Sequence, residues 1–573
     1  MQRRERYRPQ HPIRVVTAAS LFDGHDAAIH IMRRILQASG AEVIHLGHNR
    51  SVEEVAVAAV QEDASAVAVS SYQGGHVEYF RYLRERLDAL GGGAIRVFGG
   101  GGGVIIPDEI RMLEAEGAVD RIYSPEDGRR LGLEGMIDDL LARSDRDPLA
   151  TPPPGLADLI AGGDVALAGW ITRAEAAADG SAALPNADAV RDAARTAEVP
   201  VIGLTGTGGA GKSSLTDELL RRWLYDHDSG RVAVLSVDPT RKRSGGALLG
   251  DRIRMNALHP ERVFMRSLAT RERKGELSAA LGDAIAGCKA AGFDVIFVET
   301  SGIGQGDADI TDLADVSLYV MTPEYGAPSQ LEKIDMLDFA DLIAINKFSR
   351  RGALDAYRDV VKQVRRNRTA WDVPDEALPV YGTEAARFHD PGVTALYHGL
   401  LDRLRATAGE RFATFHSRIA RPARNTTDAD QAIVPPTRER YLADISATVR
   451  RYHAHHDAQA EVARRCQRLA ETLAEVEGTP AAATIRALLN DAEAGLDRAL
   501  AEAVRGNEIR QPLTRESLSG TRVRRVAVPR HLRCHGAIAR FLARENVPGR
   551  FPFTAGVFPL KREGEDPKRM FAG

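Results

Sequence analysis

The chain has 573 residues, too many for a single hydrophobic core, and this length predicts three to four domains. Its 44% hydrophobic and 27% charged residues are typical of a globular protein, and a net charge of −3 provides no overall basic field for nucleic acid. Three widely separated cysteines argue against a disulfide framework, and there is no run of 18 apolar residues and no signal-like stretch. We therefore expect a cytoplasmic protein with neither a nucleic-acid nor a membrane partner.

Residues 14–142 alternate short apolar runs with amphipathic stretches. The runs are Arg14–Ala19, Glu42–Gly47, Ala66–Ser71, Ile95–Phe98 and Arg121–Ser124. Ser51 and Glu54 have the S-x-x-E spacing of a helix capping box. Alternating strands and helices predict a parallel sheet, and five strands suit a flavodoxin-like domain over residues 1–145. Its ligand would lie beyond the carboxyl ends of the strands.

A polar segment, D-G-H-D-A-A at 23–28, follows the first predicted strand. From its chemistry alone, His25 is open to three interpretations: a capping residue, a metal ligand or a buried hydrogen-bonded side chain. Two further elements follow it, because 41 residues separate Ala28 from Ser70, and 26 separate Tyr72 from a run of five glycines that begins with Gly99 and Gly100. Such a run either lets the backbone approach a ligand closely or forms a flexible loop.

A Pro/Ala/Gly-rich stretch, predicted as a linker over residues 146–190, leads into a second α/β block over residues 191–415. After the apolar run Val201–Leu204 comes G-T-G-G-A-G-K-S at 206–213, which is a G-x-x-x-x-G-K-[ST] phosphate loop between a strand and a helix. In such a loop backbone N–H groups and the lysine bind the phosphates of a nucleoside triphosphate, and the serine hydroxyl binds Mg²⁺. The predicted nucleotide contacts are Gly208, Gly209, Ala210, Gly211, Lys212 and Ser213.

Acidic side chains end two later strand runs of this block. Asp238 follows Val232–Val237, and Glu299 and Thr300 follow Val295–Val298. Because the carboxyl ends of parallel strands meet at one edge, these residues are predicted to join Ser213 around Mg²⁺. Asp251 and Arg254, in L-G-D-R-I-R-M, are predicted to close over the metal and the phosphates, although they could instead form a surface ion pair.

The identity of the base depends on the sequence N-K-F-S at 346–349. GTPases have N-K-x-D here, and the aspartate accepts two hydrogen bonds from guanine. Asn346 and Lys347 fit this pattern, but Ser349 carries no charge, and losing a charge-assisted hydrogen bond costs roughly 1.5–3 kcal/mol. We therefore predict a preference for GTP with weaker discrimination against other nucleotides.

The remaining chain has a different character. Residues 416–510 are rich in Ala, Arg, Glu and Leu, which predicts a helical linker, and residues 511–573 read as the beginning of another domain. That last segment contains P-G-R-F-P-F-T-A-G-V-F at 548–558.

Several of these segments resemble known families. The elements at 23–28, 70–72 and 99–100 are similar to the D-x-H-x-x-G, S-x-L and GG pattern of cobalamin-binding modules, with Ala28 and Tyr72 as departures. The T-R-K-R-S-G-G and E-T-S-G segments, at 240–246 and 299–302, resemble the G-protein chaperones of acyl-CoA mutases. Residues 548–558 resemble the entry of the mutase barrels, with Phe553 where tyrosine is usual. In this order the segments resemble the fused isobutyryl-CoA mutases over essentially the whole chain.

The resemblance implies a set of site residues. His25 would be the lower cobalt ligand of adenosylcobalamin, and Asp23 would orient its imidazole ring. Ser70, Gly99 and Gly100 would accommodate the cofactor's nucleotide tail. Phe558 would line an acyl pocket, although its chemistry alone indicates an ordinary core residue.

The resemblance also implies an architecture and an activity. The fold would be a flavodoxin-like cobalamin domain, a P-loop GTPase domain, a helical linker and the start of a (β/α)₈ mutase domain, in a chain expected to form a homodimer. The enzyme would interconvert isobutyryl-CoA and n-butyryl-CoA, and its GTPase would load and protect the cofactor. The loops at 238–251 and 302–330 are the expected switches.

A (β/α)₈ barrel takes ~250 residues, whereas only about sixty follow residue 510. We therefore expect mutase chemistry to need residues beyond this chain. The alternative is a stand-alone cobalamin-binding GTPase chaperone that docks onto a separate mutase subunit.

Overall fold

The structure is a computed structural model that divides into two units, Met1–Ile433 and Val434–Gly573, which are described separately. The described residues are 6–25, 27–238, 246–270, 278–300, 302, 307–326, 331, 334–407, 412, 415–427, 441–497, 511–516, 522–527, 533–543 and 561–562.

The first unit begins with a parallel sheet that carries helices on both faces, here called the amino-terminal domain (residues 6–144). Its strands are β1 (Arg14–Ser20), β2 (Glu42–Arg50), β3 (Ala66–Ser70), β4 (Arg96–Gly100) and β5 (Arg121–Tyr123). Its helices are α1 (Ala27–Ala38), α2 (Val52–Gln61), α3 (His76–Ala89), α4 (Pro107–Ala115) and α5 (Pro125–Ser144). The capping box is present at α2, where Ser51 Oγ accepts a hydrogen bond from Glu54 N.

Three helices lead from this domain to a second parallel sheet, here called the P-loop domain (residues 200–407). These helices are α6 (Leu156–Ile160), α7 (Asp164–Ala178) and α8 (Ala187–Thr196). The sheet has the strand order β13-β12-β11-β6-β10-β7-β9. Its strands are β6 (Val201–Gly206), β7 (Val232–Asp238), β9 (Val263–Ala269), β10 (Val295–Glu299), β11 (Val316–Met321), β12 (Leu342–Asn346) and β13 (Val380–Thr383). Its helices are α9 (Lys212–Asp226), α10 (Leu281–Ala290), α11 (Met336–Phe339), α12 (Ala353–Asn367) and α13 (Pro391–Thr407), with 3₁₀ turns at Arg252–Arg254, Asp307–Asp312, Pro323–Tyr325 and Asp375–Ala377.

One strand of the second block belongs to the first sheet. Strand β8 (Ala247–Leu249) pairs in parallel with β2, so the described sheet of the amino-terminal domain has the order β5-β4-β3-β1-β2-β8. The side chains of Ala247 and Leu249 are fully buried among the core residues of that domain. The predicted α/β fold is confirmed, and the predicted five-strand sheet gains a sixth strand from a distant part of the chain.

The amino-terminal domain also covers an edge of the P-loop sheet. Strand β9 lies at that edge, and Gln61 and Glu62, at the end of α2, hydrogen-bond to its backbone. Helix α7, within the predicted linker, packs against both α2 and α10. The two domains therefore share a continuous buried interface.

The second unit contains the long helix α14 (Tyr441–Glu475), α15 (Ala481–Ala494) and α16 (His535–Ala543). Strands β14 (Gln511–Glu516), β15 (Arg522–Ala527) and β16 (Lys561–Arg562) pair antiparallel, unlike the parallel strands of a (β/α)₈ barrel. The predicted mutase domain over 511–573 therefore stays a prediction, and Phe558 lies outside the described residues. Among the helices that the structure describes, none is long and apolar enough to cross a membrane.

Candidate functional site

The phosphate loop joins β6 to α9, and three of its glycines have positive φ angles. These are 138° at Gly206, 73° at Gly209 and 94° at Gly211, values that L side chains rarely adopt. A Cβ at Gly206 would lie 1.9 Å from the carbonyl oxygen of Val320. Lys212 Nζ donates to Gly206 O at 2.9 Å, which folds the lysine back over the loop. The loop thus has the backbone geometry that binds phosphate groups.

Ser213, Asp251 and Glu299 meet at the end of this loop, at the carboxyl edge of the sheet. Ser213 Oγ lies 3.0 Å from Asp251 Oδ1 and 2.8 Å from Glu299 Oε1. Ser236 donates to the other oxygen of Asp251, a contact that the sequence did not predict. The structure thereby brings together three of the predicted Mg²⁺ ligands.

Asp238 lies beside this cluster and accepts a hydrogen bond from Gly250 N at 3.2 Å. Burial, together with the neighbouring Asp251 carboxylate, raises the pKa of both Asp238 and Glu299 to about 8. Carboxylate and hydroxyl oxygens are the ligands that Mg²⁺ prefers, and a divalent cation would offset the mutual repulsion of the carboxylates. These residues therefore fit a magnesium ion.

Arg254 and Thr300 occupy different positions relative to this cluster. Arg254 Nη1 donates to Asp251 Oδ1 at 2.8 Å and lies 3.2 Å from Ser213 Oγ, and more than half of its side chain is exposed. It can therefore reach a nucleotide in the loop. Thr300 Oγ1 donates instead to Thr205 Oγ1 at 3.0 Å, so the proton of its hydroxyl is engaged with a residue outside the three predicted ligands.

Asn346 and Lys347 support the phosphate loop from the end of β12. Asn346 Nδ2 donates to Ala210 O at 2.8 Å, and Lys347 Nζ donates to Gly209 O at 2.6 Å. The exposed Ser349 contributes its backbone, because Ser349 N donates to Glu384 Oε2 at 2.9 Å. A carboxylate therefore lies directly beside the residue that replaces the usual aspartate.

Glu384 belongs to no motif in the sequence that predicts a nucleotide contact. It directly follows β13, the neighbour of β12 in the sheet, and the signal that could have found it is this position at the carboxyl end of an adjacent parallel strand.

The second candidate site lies at the carboxyl edge of the amino-terminal sheet. His25 has 75% of its side chain exposed, whereas the side chain of Asp23 is fully buried. Asp23 Oδ1 lies 2.9 Å from His25 Nδ1, and Asp23 Oδ2 accepts a hydrogen bond from Tyr72 N at 2.6 Å. When Nδ1–H donates to the carboxylate, Nε2 is left as the lone-pair nitrogen, which is the arrangement of an oriented metal-binding histidine.

An apolar cavity of about 290 Å³ opens beside this pair, between α1, α5 and the ends of β3 and β4. Its lining includes Ser70, Gly99, Gly100, Met32, Phe98 and Met136. Two glycines of this loop are needed for space, because a Cβ at Gly99 would lie 2.7 Å from Phe80, and one at Gly101 would lie 2.0 Å from Ser71 O. The exposed imidazole of His25 and the cavity beside it together fit a cobalamin, with the imidazole as a candidate ligand of the cobalt ion.

Two family models match these two regions. Residues 13–130 match the B12 binding domain, and residues 167–399 match the methylmalonyl-CoA mutase-associated GTPase MeaB. The chain thus contains a cobalamin-binding domain and a GTPase domain, each containing one of the two sites.

Similar proteins extend the match to almost the whole chain. Curated relatives described as fused isobutyryl-CoA mutases come from Cupriavidus metallidurans, Nocardia farcinica and Geobacillus kaustophilus, and are 54%, 55% and 50% identical. Each match covers 99% of this chain, but 53%, 54% and 54% of the respective relative. The chain therefore spans about half the length of the curated relatives it matches, and within that span it is similar to the fused isobutyryl-CoA mutases.

Proposed function

We propose that this chain is the cobalamin-binding and GTP-hydrolysing part of an adenosylcobalamin-dependent isomerase that interconverts isobutyryl-CoA and n-butyryl-CoA. The GTPase would serve the loading and protection of the cofactor. The observation that carries the proposal is the oriented His25 beside an apolar cavity, within the same unit as a phosphate loop and its carboxylate cluster.

In the amino-terminal domain, His25 would bind the cobalt ion through Nε2. Asp23 would hold the ring orientation, because its buried carboxylate is itself fixed by the backbone N–H of Tyr72. Ser70, Gly99 and Gly100 would admit the displaced nucleotide tail into the cavity. Adenosylcobalamin, when bound, supplies the carbon radical that starts a carbon-skeleton rearrangement.

In the P-loop domain, Lys212 and the loop backbone would bind the phosphates of GTP. Ser213, Asp238, Asp251 and Glu299 would hold Mg²⁺ directly or through its water shell. Arg254, which already contacts Asp251, would place a positive charge at the phosphates.

The proposed preference for GTP has a physical basis in Glu384. The Ser349 backbone N–H holds a carboxylate oxygen of Glu384 at 2.9 Å, beside the position from which GTPases read guanine. Glu384 would thus supply the charged acceptor that Ser349 lacks. This arrangement makes guanine selection a property of two neighbouring strand ends.

The acyl-CoA substrates, the role of Phe558 and a homodimeric assembly belong to the same proposal. The acyl-CoA substrates are supported by the description of relatives of about twice this length as isobutyryl-CoA mutases.

The cobalt assignment is tested by absorption spectroscopy of the protein mixed with cobalamin. Binding to His25 is expected to give the base-off, histidine-on spectrum, and His25→Ala to abolish it. His48→Ala is the control, because His48 is an exposed histidine at the end of β2 in the same domain. An unchanged spectrum in His25→Ala would refute the assignment.

A further inference from the structure

The turn that carries Asp251 and Arg254 directly follows a strand of the amino-terminal sheet. Strand β8 ends at Leu249, and its backbone pairing sets Leu249 against Ile44 of β2. Only Gly250 separates this paired strand from Asp251. The predicted metal ligand is therefore anchored to a strand that belongs to the other domain.

The side chains of this turn point in two directions. Asp251 and Arg254 contact Ser213 in the nucleotide site. Arg252 and Ile253, which lie between those two residues in the chain, contact the amino-terminal domain. Ile253 Cδ1 lies 2.9 Å from the position of a Cβ on Gly47, so it packs directly on the backbone of β2.

Arg252 is buried and has three hydrogen-bond partners outside the turn. Its side chain is 5% exposed. Nη2 donates to Gln61 Oε1 at 2.7 Å, and Nη1 donates to Met265 O at 3.0 Å and lies 3.4 Å from Glu62 Oε1. Since a planar guanidinium with several bonds has a fixed orientation, these contacts determine where the backbone of the turn lies.

The partners of Arg252 are themselves held rigidly. Gln61 Nε2 donates to Val263 O and to Asp164 Oδ2, at 2.9 and 2.8 Å. Glu62, with a fully buried side chain, accepts hydrogen bonds from Ser267 N. The end of α2 thus grips the edge strand β9 and the turn at the same time.

We infer that Arg252 is a positioning residue for GTP hydrolysis: through Gln61 and Glu62, the amino-terminal domain fixes the turn that presents Asp251 to Mg²⁺ and Arg254 to the phosphates. The inference rests on the proposed Mg²⁺–GTP site. It makes the cobalamin-binding domain a structural component of the GTPase, because a misplaced catalytic group can cost a large factor in rate.

The test compares Arg252→Met and Gln61→Met with the unmodified full chain. In both variants we expect kcat for GTP hydrolysis to fall, by about tenfold or more for Arg252→Met, and the Mg²⁺ concentration for half-maximal rate to rise. Affinity for GTP, measured with a fluorescent analogue at saturating Mg²⁺, is expected to change less than kcat, since the phosphate loop is untouched. Arg252→Lys, which keeps the charge, is expected to recover part of the loss.

The matched control is Arg266→Met. Arg266 is equally buried, and its described hydrogen bonds join it to Glu175 and Thr172 at the same interface rather than to the turn. It is expected to lower the unfolding temperature while leaving kcat and the Mg²⁺ dependence of the folded protein unchanged.

Each outcome has a separate meaning. If Arg252→Met and Gln61→Met bind Mg²⁺–GTP and hydrolyse it like Arg266→Met, the positioning role is overturned. If the unmodified chain binds Mg²⁺–GTP but does not hydrolyse it, the proposed GTPase function fails. The Mg²⁺ dependence of analogue binding then still decides whether Arg252 positions the metal site. A higher Mg²⁺ concentration for half-maximal binding in Arg252→Met and Gln61→Met supports the role. Binding curves identical to that of the unmodified chain refute it.

Discussion

At the scale of single residues, Glu384 and Ser349 allow a direct test of base selection. Guanine presents N–H donors where xanthine presents a carbonyl oxygen. A carboxylate, which only accepts hydrogen bonds, therefore favours guanine, whereas the N–H groups of an amide can donate to xanthine. We expect Glu384→Gln to weaken GTP binding by about tenfold or more, since a charge-assisted hydrogen bond contributes roughly 1.5–3 kcal/mol, and to improve XTP binding. Titration with fluorescent nucleotide analogues measures both.

Ser349→Ala is the control for this pair. Ser349 holds the carboxylate of Glu384 through its backbone N–H, and alanine keeps this group. The affinity of the Ser349→Ala protein for GTP is therefore expected to stay near that of the unmodified chain. A Glu384→Gln protein that retains the original ratio of GTP to XTP affinity would show that this carboxylate does not read the base.

The residues of the two sites differed in how far the sequence could predict their positions. Asp23 and His25 are two residues apart, and local chain geometry suffices to bring their side chains together. Ser213 and Glu299 lie at the carboxyl edge of one parallel sheet, where the strand pattern places them, whereas Asp251 reaches them from the end of β8 in the other sheet. Thr300 also lies at that edge, but its hydroxyl donates a hydrogen bond to Thr205. This partner depends on the rotation of the side chain, which the spacing of residues in the sequence does not predict.

At the scale of elements, the glycine loop after β4 contains one glycine that the fold requires for space and one that we expect the ligand to require. A Cβ at Gly101 would lie 2.0 Å from Ser71 O, whereas one at Gly100 would meet nothing closer than 3.9 Å. Gly101→Ala is therefore expected to destabilise the fold, by roughly 1–3 kcal/mol, as overpacking does. Gly100→Ala is expected to preserve stability but to weaken cobalamin binding, because the new methyl group lies at the cavity.

Thermal unfolding and cobalamin titration measure the two effects separately. Gly103→Ala serves as the reference, because a Cβ there meets nothing within 4 Å and Gly103 does not line the cavity. Cobalamin binding by Gly100→Ala as tight as that of the reference would place the ligand elsewhere.

Most strands could be predicted because they are continuous apolar runs, which bury both faces of a parallel sheet. Strand β8 could not. Its three residues, A-L-L, form too short a run to distinguish from a loop, and their pairing with β2 joins positions about 200 residues apart. The sequence pattern reports local periodicity, whereas sheet membership here is decided by tertiary packing.

At the scale of the whole first unit, Arg14 connects the two domains through charge. Its guanidinium lies within 3.5 Å of carboxylate oxygens of Glu42, Glu62 and Glu175, and Nη1 donates to Ser267 O at 3.2 Å. All three carboxylate side chains are at most 8% exposed. Removing one cation from such a group leaves buried negative charge without full compensation.

Arg14→Met is therefore expected to lower the free energy of unfolding by about 3–5 kcal/mol. Arg6→Met, whose exposed partners include Glu134, is expected to cost less than about 1 kcal/mol. Urea unfolding followed by fluorescence of the buried Trp170 and Trp223 measures this cost, and the spectrum of bound cobalamin reports on the amino-terminal domain. If the shared interface makes the domains one cooperative unit, both signals shift together in Arg14→Met. Separate transitions, or a loss no larger than that of Arg6→Met, would mean that the domains are stable independently of this charge network.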